Sequence, residues 1–271
     1  MKNTFGSNIT LTLFGESHGE AIGAVLDGLP AGIEVDFNRM ETLLAKRRPS
    51  SALDTARREK DEFHIVSGVF EGKTTGTPLC ILIPNEDKQS GDYRNLYGKA
   101  RPSHADYAAF CKYHGFEDYR GGGHFSGRIT AALVATGGIL LPMLEGLGIT
   151  VGTHIKRCAT VEDRDFENVK KDIDLLNESD FPVLDNPRIA EMTAEILRAK
   201  SELDSVGGVV ETAVFGMPAG VGEPWFDSVE GLLSHALFSL GGVKGVEFGS
   251  GFAGCEKRGS ENNDAIRTDG K

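Results

Sequence analysis

Hydrophobic and polar positions follow two patterns along this chain, one with a two-residue period and one with a helical period. Residues 9–14, Ile-Thr-Leu-Thr-Leu-Phe, show the two-residue period of a half-buried β-strand. The same criterion, together with flanking glycine and polar residues, predicts strands at 22–26, 63–69, 79–83, 151–155, 206–215 and 243–248.

Helices are predicted where apolar residues recur every three or four positions and a capping residue precedes them. Asp36 is a suitable N-cap for a helix that must end before Pro49, and Asn186-Pro187 is a typical helix start. Strands that alternate with helices, without a linker or a short repeat, indicate a single α/β or α+β domain over residues 1–271. The further predicted helices are 106–113, 129–147, 165–176 and 229–240.

The segment 129–147 is the most apolar part of the chain. It is interrupted by Gly137, Gly138 and Pro142, and polar sequence surrounds it. A membrane-spanning helix needs about 20 predominantly apolar residues in a row. We therefore interpret this segment as a helix of the protein core, and no membrane partner is expected.

Composition limits the kinds of partner. The chain has 271 residues, with 29 Lys and Arg against 40 Asp and Glu, and a net charge of −11. Such an acidic protein is a poor general ligand for nucleic acid, which requires a basic surface. The four cysteines lie far apart and form no CxxC motif, which argues against a zinc site or a disulfide framework. Because no apolar signal-peptide region follows Met1, the expected location is the cytoplasm.

Three polar segments each contain a histidine close to glycine or proline. They are residues 15–19 (Gly-Glu-Ser-His-Gly), 101–107 (Arg-Pro-Ser-His-Ala-Asp-Tyr) and 118–128 (Asp-Tyr-Arg-Gly-Gly-Gly-His-Phe-Ser-Gly-Arg). Histidine titrates near neutral pH, so this pattern favours proton transfer, with a structural role as the alternative for each ring. Residues 15–19 lack the strand-to-helix context of a hydrolase nucleophile, and no His-Glu-x-x-His metal motif occurs.

Arginines flank the same segments. Guanidinium groups bind phosphate and carboxylate in a bidentate manner, so arginines clustered in an acidic chain favour a small anionic ligand. Solvated helix ends and surface ion pairs are the alternative. The glycine run 121–123 can also offer backbone N–H groups to a phosphate, although the P-loop motif is absent. The arginines are Arg47, Arg48, Arg57, Arg58, Arg101, Arg120 and Arg128.

Taken together, these segments resemble the motifs of the chorismate synthase family, and the resemblance spans the whole chain. It implies an α+β fold, namely a β-α-β sandwich of helices and antiparallel-rich sheets, in a cytoplasmic homotetramer. In the family's order, the matching residues are 14–19, 27–32, 47–49, 67–72, 75–78, 101–106, 119–123, 204–208, 243–249 and 258–262.

The resemblance also implies a reaction. The family converts 5-enolpyruvylshikimate-3-phosphate to chorismate and phosphate, the last shared step of aromatic amino-acid biosynthesis. This 1,4-elimination by a phosphate lyase requires reduced FMN but consumes no net redox equivalent. NADPH is implied only as a reductant of the flavin, and an external flavin reductase is the alternative source of electrons.

Site residues follow from the resemblance, and no metal ligand is among them. His18 is expected to protonate or hydrogen-bond the departing phosphate, and His104 to hold a proton at the reduced flavin. The expected ligands of the substrate, a phosphorylated dicarboxylate, are Ser17, Arg47, Arg48, Arg120 and Arg128. The expected FMN contacts are His124, Phe125, Ser126, Gly241, Gly242 and Arg47.

The chain departs from the family pattern at three points. His124-Phe125-Ser126 stands where the family commonly has Arg-Ser-Ser, so this cationic contact depends on pH. Leu53 replaces a family arginine, which argues against direct use of NADPH. The family continues past Lys271 with further active-site segments, so the resemblance implies a C-terminally truncated member. The alternatives are a non-catalytic flavin- or phosphate-binding protein and an NADPH-dependent flavin reductase.

Overall fold

The computed structural model describes residues 2–49, 53, 59–86, 97–264 and 266. The chain divides into two compact units, Met1–Ala219 and Gly220–Lys271. Arg57 and Arg58, which the sequence analysis named as candidate anion ligands, lie outside the described residues.

The strands of the described residues belong to the first unit. They are β1 (Thr4–Gly6), β2 (Thr10–Gly15), β3 (Ala21–Asp27), β4 (His64–Ser67), β5 (Val69–Phe70), β6 (Lys73–Thr74), β7 (Leu79–Pro84), β8 (Thr150–Cys158), β9 (Val161–Glu162) and β10 (Gly208–Phe215). The α-helices of this unit are α1 (Phe37–Arg47), α2 (Asp106–Tyr113), α3 (Thr130–Gly146), α4 (Val169–Glu178) and α5 (Pro187–Ser201). Short 3₁₀ turns at Arg120–Phe125 and Gly127–Ile129 lead into α3.

Antiparallel pairing joins the strands wherever the structure describes a pair. One sheet has the order β1-β2-β3-β7-β4, a second has the order β10-β8-β9, and β5 pairs with β6. Helix α3 contacts β3 and β7 of the first sheet and β8 of the second, and α1 packs along α3. Helices packed between two antiparallel sheets form a β-α-β sandwich of the α+β class.

The main core lies between the first sheet and the helices α1 and α3. Gly138 of α3 faces Met40 of α1, and a β-carbon at this glycine would come within 2.8 Å of the Met40 Cα. The two helices can therefore approach this closely only because residue 138 is a glycine. The core includes Ile22, Leu26, Met40, Leu44, Leu79, Ile81, Ile83, Ala131, Ala135 and Ile139.

Helix α3, taken with its preceding turn over Gly127–Gly146, has the length and apolarity of a membrane span. Its packing is nevertheless that of a core helix, because Ala131, Ala135 and Ile139 are buried in the main core. This packing agrees with the interpretation of the segment from its sequence.

Several predicted element ends are confirmed. Asp36 Oδ1 accepts the Arg39 N–H at 2.9 Å, and α1 ends at Arg47, before Pro49. Helix α2 spans the predicted residues 106–113, and α5 begins at Pro187. In these places, the capping and helix-stop residues are enough to fix the boundary.

The predicted strand at 243–248 is wrong. These residues belong to the second unit, whose described elements are α6 (Val229–Leu237), a 3₁₀ turn at Gly251–Glu256 and α7 (Gly259–Asn262). The segment does alternate in hydrophobicity, but no described strand pairs with it. Backbone N–H and C=O groups need partners, so alternation alone does not form a strand.

Candidate active site

A cleft of about 620 Å³ opens in the first unit, between the end of β2, helix α2 and the segment 116–125. Its volume is in the usual range of small-molecule and cofactor sites. Seven of the lining residues are aromatic, which suits a flat ring system. The aromatic lining residues are Phe14, Tyr107, Phe110, Tyr113, Phe116, Tyr119 and Phe125.

His104 lines this cleft and is fixed by a charged neighbour. Its Nδ1 lies 2.7 Å from Asp106 Oδ1. Arg101 donates to the same carboxylate from Nε at 2.8 Å, from Nη2 at 2.9 Å and from its backbone N–H at 3.0 Å. The bond from the Arg101 guanidinium holds the pKa of Asp106 far below its usual range. Asp106 therefore stays ionised and can accept the Nδ1–H of His104, which fixes the orientation of the ring.

The glycine run Gly121–Gly123 brings the two predicted catalytic histidines together. Its φ values of +58°, +87° and +54° lie in the left-handed region that favours glycine. A β-carbon at Gly121 would lie 2.7 Å from Cε1 of His18, and one at Gly122 would lie 3.1 Å from Cε1 and Nε2 of His104. The two imidazoles thus contact successive residues of one turn.

The turn that carries His18 is bonded to this glycine run. The Ser17 N–H donates to the Gly123 carbonyl at 3.1 Å, and Ser17 Oγ lies 3.2 Å from the carbonyls of both Arg120 and Gly121. Ser17 and His18 are buried, with 0% and 6% exposed, and His18 is not among the described residues that line the cleft. His104 therefore meets the cleft directly, whereas His18 lies against the backbone of the run.

Arg120 forms a bidentate pair with Asp118 beside the run. Its Nε and Nη2 each donate to one oxygen of this carboxylate at 2.8 Å. The pairing lowers the pKa of Asp118 and raises the pKa of Arg120. Asp118 lines the cleft, whereas Arg120 is not among the described residues that line it.

Arg47 and Arg128 belong to a different, buried network. Arg128 is only 4% exposed and makes an ion pair with Asp61, and its Nη2 donates to the Pro84 carbonyl at 3.1 Å. Arg47 Nη1 donates to the other oxygen of Asp61 at 3.0 Å. Neither arginine, nor Arg48, is among the described residues that line the cleft, so their predicted roles as substrate ligands stay predictions.

Comparison with known proteins gives one family. A family model described as chorismate synthase matches residues 9–271. The chorismate synthase of Thermococcus kodakarensis is 43% identical over 267 residues, which are 98% of this chain and 74% of that protein. The chorismate synthase of Sulfurimonas denitrificans is 44% identical over 271 residues, 99% of this chain and 74% of that protein. The chain belongs to the chorismate synthase family.

The chain has the fold of the chorismate synthase family. A crystal structure of chorismate synthase matches with a TM-score of 0.79 at 27% sequence identity, over 96% of this chain and 75% of that one. The predicted family and the α+β class are confirmed. Chorismate synthases are lyases of the shikimate pathway, so the predicted enzyme class is confirmed as well.

The segment expected to contact flavin in chorismate synthases lies partly on the cleft. His124 lines it and donates its Nδ1–H to the Gly15 carbonyl at 2.7 Å. Phe125 also lines it, edge-on to Tyr113 with ring centroids 6.0 Å apart. Ser126 instead accepts the Arg128 N–H at 3.3 Å. The other expected flavin contacts, Gly241 and Gly242, belong to the second unit.

The sequence analysis missed the aromatic face of α2. Tyr107, Phe110 and Tyr113 recur every three residues and line the cleft, with Tyr107 and Phe110 more than half exposed. This spacing sets aromatic side chains on one helix face and was visible in the sequence. Asp61 and Asn85, which hold residues of the site in place, lie in no comparable periodic pattern of the sequence.

Proposed function

We propose that this chain converts 5-enolpyruvylshikimate-3-phosphate to chorismate and phosphate by a 1,4-elimination that requires reduced FMN. The observation that carries the proposal is that His18 and His104 contact the successive residues Gly121 and Gly122 beside a cleft with seven aromatic lining residues. Family membership supports the same reaction.

The cleft fits a reduced flavin in size and in the character of its walls. Aromatic rings from α2 and from the segment after it would hold a flat heterocycle, with Phe125 and Tyr113 on one wall. His124 would contact the flavin through Nε2, because its Nδ1 is bonded to Gly15. When bound, reduced FMN supplies the electron-rich ring system beside which the carbon–oxygen bond to phosphate breaks.

The chain's own residues would manage protons and charge. A departing phosphate gains negative charge, which cations and proton donors stabilise. Arg120 is the candidate cation, since pairing with Asp118 leaves its Nη1 without a partner among the described residues. His18 would hydrogen-bond or protonate the phosphate oxygen. His104, with Nδ1 bonded to Asp106, would hold a proton at Nε2 on the cleft side.

Further properties are proposed from the resemblance to the family. They are a single chorismate synthase-like domain over residues 1–271, a homotetramer, a cytoplasmic location and an external flavin reductase as the source of electrons. NADPH is the alternative direct reductant, and the replacement of a family arginine by Leu53 counts against it. Light scattering after gel filtration measures the assembly directly.

An anaerobic assay of phosphate release tests the function. The protein is mixed with the enolpyruvyl ester and chemically reduced FMN, and the expected result is one phosphate per chorismate formed. Oxidised FMN is the control and should support no release. Flavin binding without phosphate release would contradict the proposal in favour of the non-catalytic alternative. FMN reduction by NADPH alone, without phosphate release, would favour the flavin reductase alternative.

A further inference from the structure

Asn85 follows β7 and connects the end of this strand to the turn that carries His18. Its backbone N–H donates to the Glu20 carbonyl at 3.1 Å, directly after the last residue pair of β3 and β7. The residue is buried, with 5% of its surface exposed. Its side chain therefore points into the protein, where unsatisfied polar groups are costly.

The Asn85 amide is held in one orientation by three hydrogen bonds. Its Nδ2 donates to the Glu16 carbonyl at 2.9 Å and to the Gly19 carbonyl at 3.1 Å. Its Oδ1 accepts the Nε–H of Arg128 at 3.0 Å. Rotating the amide by half a turn would set its donors against Arg128 and its oxygen against two carbonyls, so only one orientation satisfies all partners.

The two carbonyls are the ends of the four-residue turn that contains Ser17 and His18. The Gly19 N–H donates to the Glu16 carbonyl at 3.0 Å, which closes this turn with one backbone bond. The amide of Asn85 spans the same two residues from outside. The turn is thus fixed at both ends by a side chain that is 66 to 69 positions away in sequence.

Arg128 supports Asn85 from the other side. Its guanidinium is itself fixed by Asp61 and by the Pro84 carbonyl, and Asp61 is held by Arg47 of α1. These contacts connect α1 and the 3₁₀ turn before α3 to the amide. The orientation of the turn therefore depends on buried bonds from several elements and not on its own backbone alone.

We propose that Asn85 is a positioning residue for His18: its amide fixes the Glu16–Gly19 turn and thereby sets the imidazole against Gly121. The effect on turnover rests on the proposed function, whereas the effect on the position of the ring does not. Asn85 acts through His18 and need not touch the substrate.

The variant Asn85→Asp tests this directly. It keeps the shape and the acceptor for Arg128, but removes both donated protons and sets an oxygen against the carbonyls of Glu16 and Gly19. A crystal structure of the variant should show the His18 ring displaced and the His104 ring in place. Turnover should fall about 10- to 100-fold with little change in KM, since small misplacements of a reacting group have effects of that order.

A double-mutant cycle separates positioning from general damage. In a His18→Ala background, Asn85→Asp should cost little further turnover, because residues that act through one group are not additive. Asn168→Ala is the matched control, since it removes a cap from α4, where Asn168 Oδ1 accepts the Lys171 N–H at 3.1 Å. This control should leave turnover unchanged.

The proposal would be overturned if the His18 ring kept its position in Asn85→Asp. It would also be overturned if the double variant lost turnover by the full product of the losses in Asn85→Asp and His18→Ala. If Asn85→Asp does not fold, Asn85→Ala removes both donors, together with the acceptor for Arg128, and serves in both comparisons. If the unmodified protein releases no phosphate, the proposed function fails, and the position of the ring in the crystal structure still decides the role of Asn85.

Discussion

His104 and His18 contact neighbouring glycines, but the protein supports the two rings in different ways. His104 lies at the cleft, and its side chain is 30% exposed and paired with the ionised carboxylate of Asp106. His18 is buried, and the turn that carries it is held by the neutral amide of Asn85. A ring near solvent is thus fixed by charge, whereas a buried turn is fixed by satisfied hydrogen bonds.

The cost of burying charge is met differently at the two places. The neutral Asn85 amide has no charge to desolvate, and the buried Arg128 that donates to it is compensated by Asp61. At the cleft, Asp106 keeps part of its hydration and is further stabilised by Arg101. The two supports therefore differ in kind: a charged acceptor orients the ring at the cleft, and a neutral amide positions the buried turn.

Removal of either imidazole should have the largest effect. We expect His18→Ala and His104→Ala each to lower turnover by about 10²- to 10⁴-fold, the usual contribution of a proton-transfer group. Anaerobic phosphate release measures the loss, and circular dichroism checks the fold. His64→Ala, at an exposed position of β4, is the control and should be neutral. Near-normal turnover in either variant would remove that histidine from the mechanism.

Neutralising the charged support should have the next largest effect. Asp106→Asn keeps the size of the side chain but loses the negative charge that faces His104 Nδ1 and Arg101. We expect turnover to fall about 10- to 100-fold because the charged acceptor that orients the His104 ring is lost. Asp165→Asn, at an exposed carboxylate paired with Lys156, is the control.

The pH dependence sharpens the test of Asp106. Because its pKa is held far below the usual range, the unmodified protein should keep this charge throughout the working pH range. Steady-state rates of the unmodified protein between pH 5 and 9 should therefore show no loss that comes from protonation of Asp106, and Asp165→Asn should give the same profile. A loss of rate near pH 5 that is present in the unmodified protein and absent in Asp106→Asn would mean that this carboxylate titrates within the range.

Adding one methyl group to the glycine run should have a smaller effect, and an unequal one. A β-carbon at Gly121 would lie 2.7 Å from His18, and one at Gly122 would lie 3.1 Å from His104. Since the contact at Gly121 is closer and its ring is buried, we expect Gly121→Ala to lose more turnover than Gly122→Ala. Both variants should also lose about 1–2 kcal/mol of unfolding free energy from backbone strain.

Gly148→Ala is the matched control for this pair. Gly148 has a φ of +81°, but no atom lies within 4 Å of the position of a β-carbon. It should therefore show the loss of stability, measured by urea unfolding, without the loss of turnover. Equal turnover in Gly121→Ala and Gly122→Ala would contradict the expected difference between the buried ring of His18 and the cleft ring of His104.

Local sequence predicted the parts of the site that local interactions determine. The histidine-containing segments were identified from glycine and proline neighbours, and α2 has the predicted bounds. The strand at 243–248 failed because pairing depends on residues elsewhere in the chain. Alternation of hydrophobic and polar residues is a property of one segment, whereas a sheet requires a partner strand from elsewhere in the chain.

The supports of the site could not be predicted for the same reason. Asn85 stands after a strand, where an asparagine is common, and its partners are distant in sequence. Arg128 was selected because arginine binds anions, but its burial against Asp61 depends on the packing of three elements. Residue type indicates what a side chain can bind, and tertiary packing decides which partner it meets.

A carboxylate far from the cleft should give the smallest effect and show what a purely structural charge does. Asp172 accepts Arg164 Nη2 at 2.8 Å and the backbone N–H groups of Glu167 at 2.9 Å and Asn168 at 3.1 Å. The bond from Arg164 lowers the pKa of Asp172 to about 2. Unfolded aspartate titrates near pH ~3.9, so the ionised form stabilises the fold above about pH 4, and this contribution is lost as the pH falls toward 2.

Asp172→Asn should therefore lower the unfolding free energy by about 1–3 kcal/mol at pH 7 and leave turnover unchanged. Urea unfolding at pH 7 and at pH 3 measures this loss, and the difference in unfolding free energy between variant and parent should be smaller at pH 3. A difference that is the same at both pH values would mean that the charge of Asp172 contributes nothing to stability. Together with Asp106→Asn, this variant separates a carboxylate that acts on an imidazole from one that only holds a helix. Asp106→Asn should change turnover, whereas Asp172→Asn should change only stability.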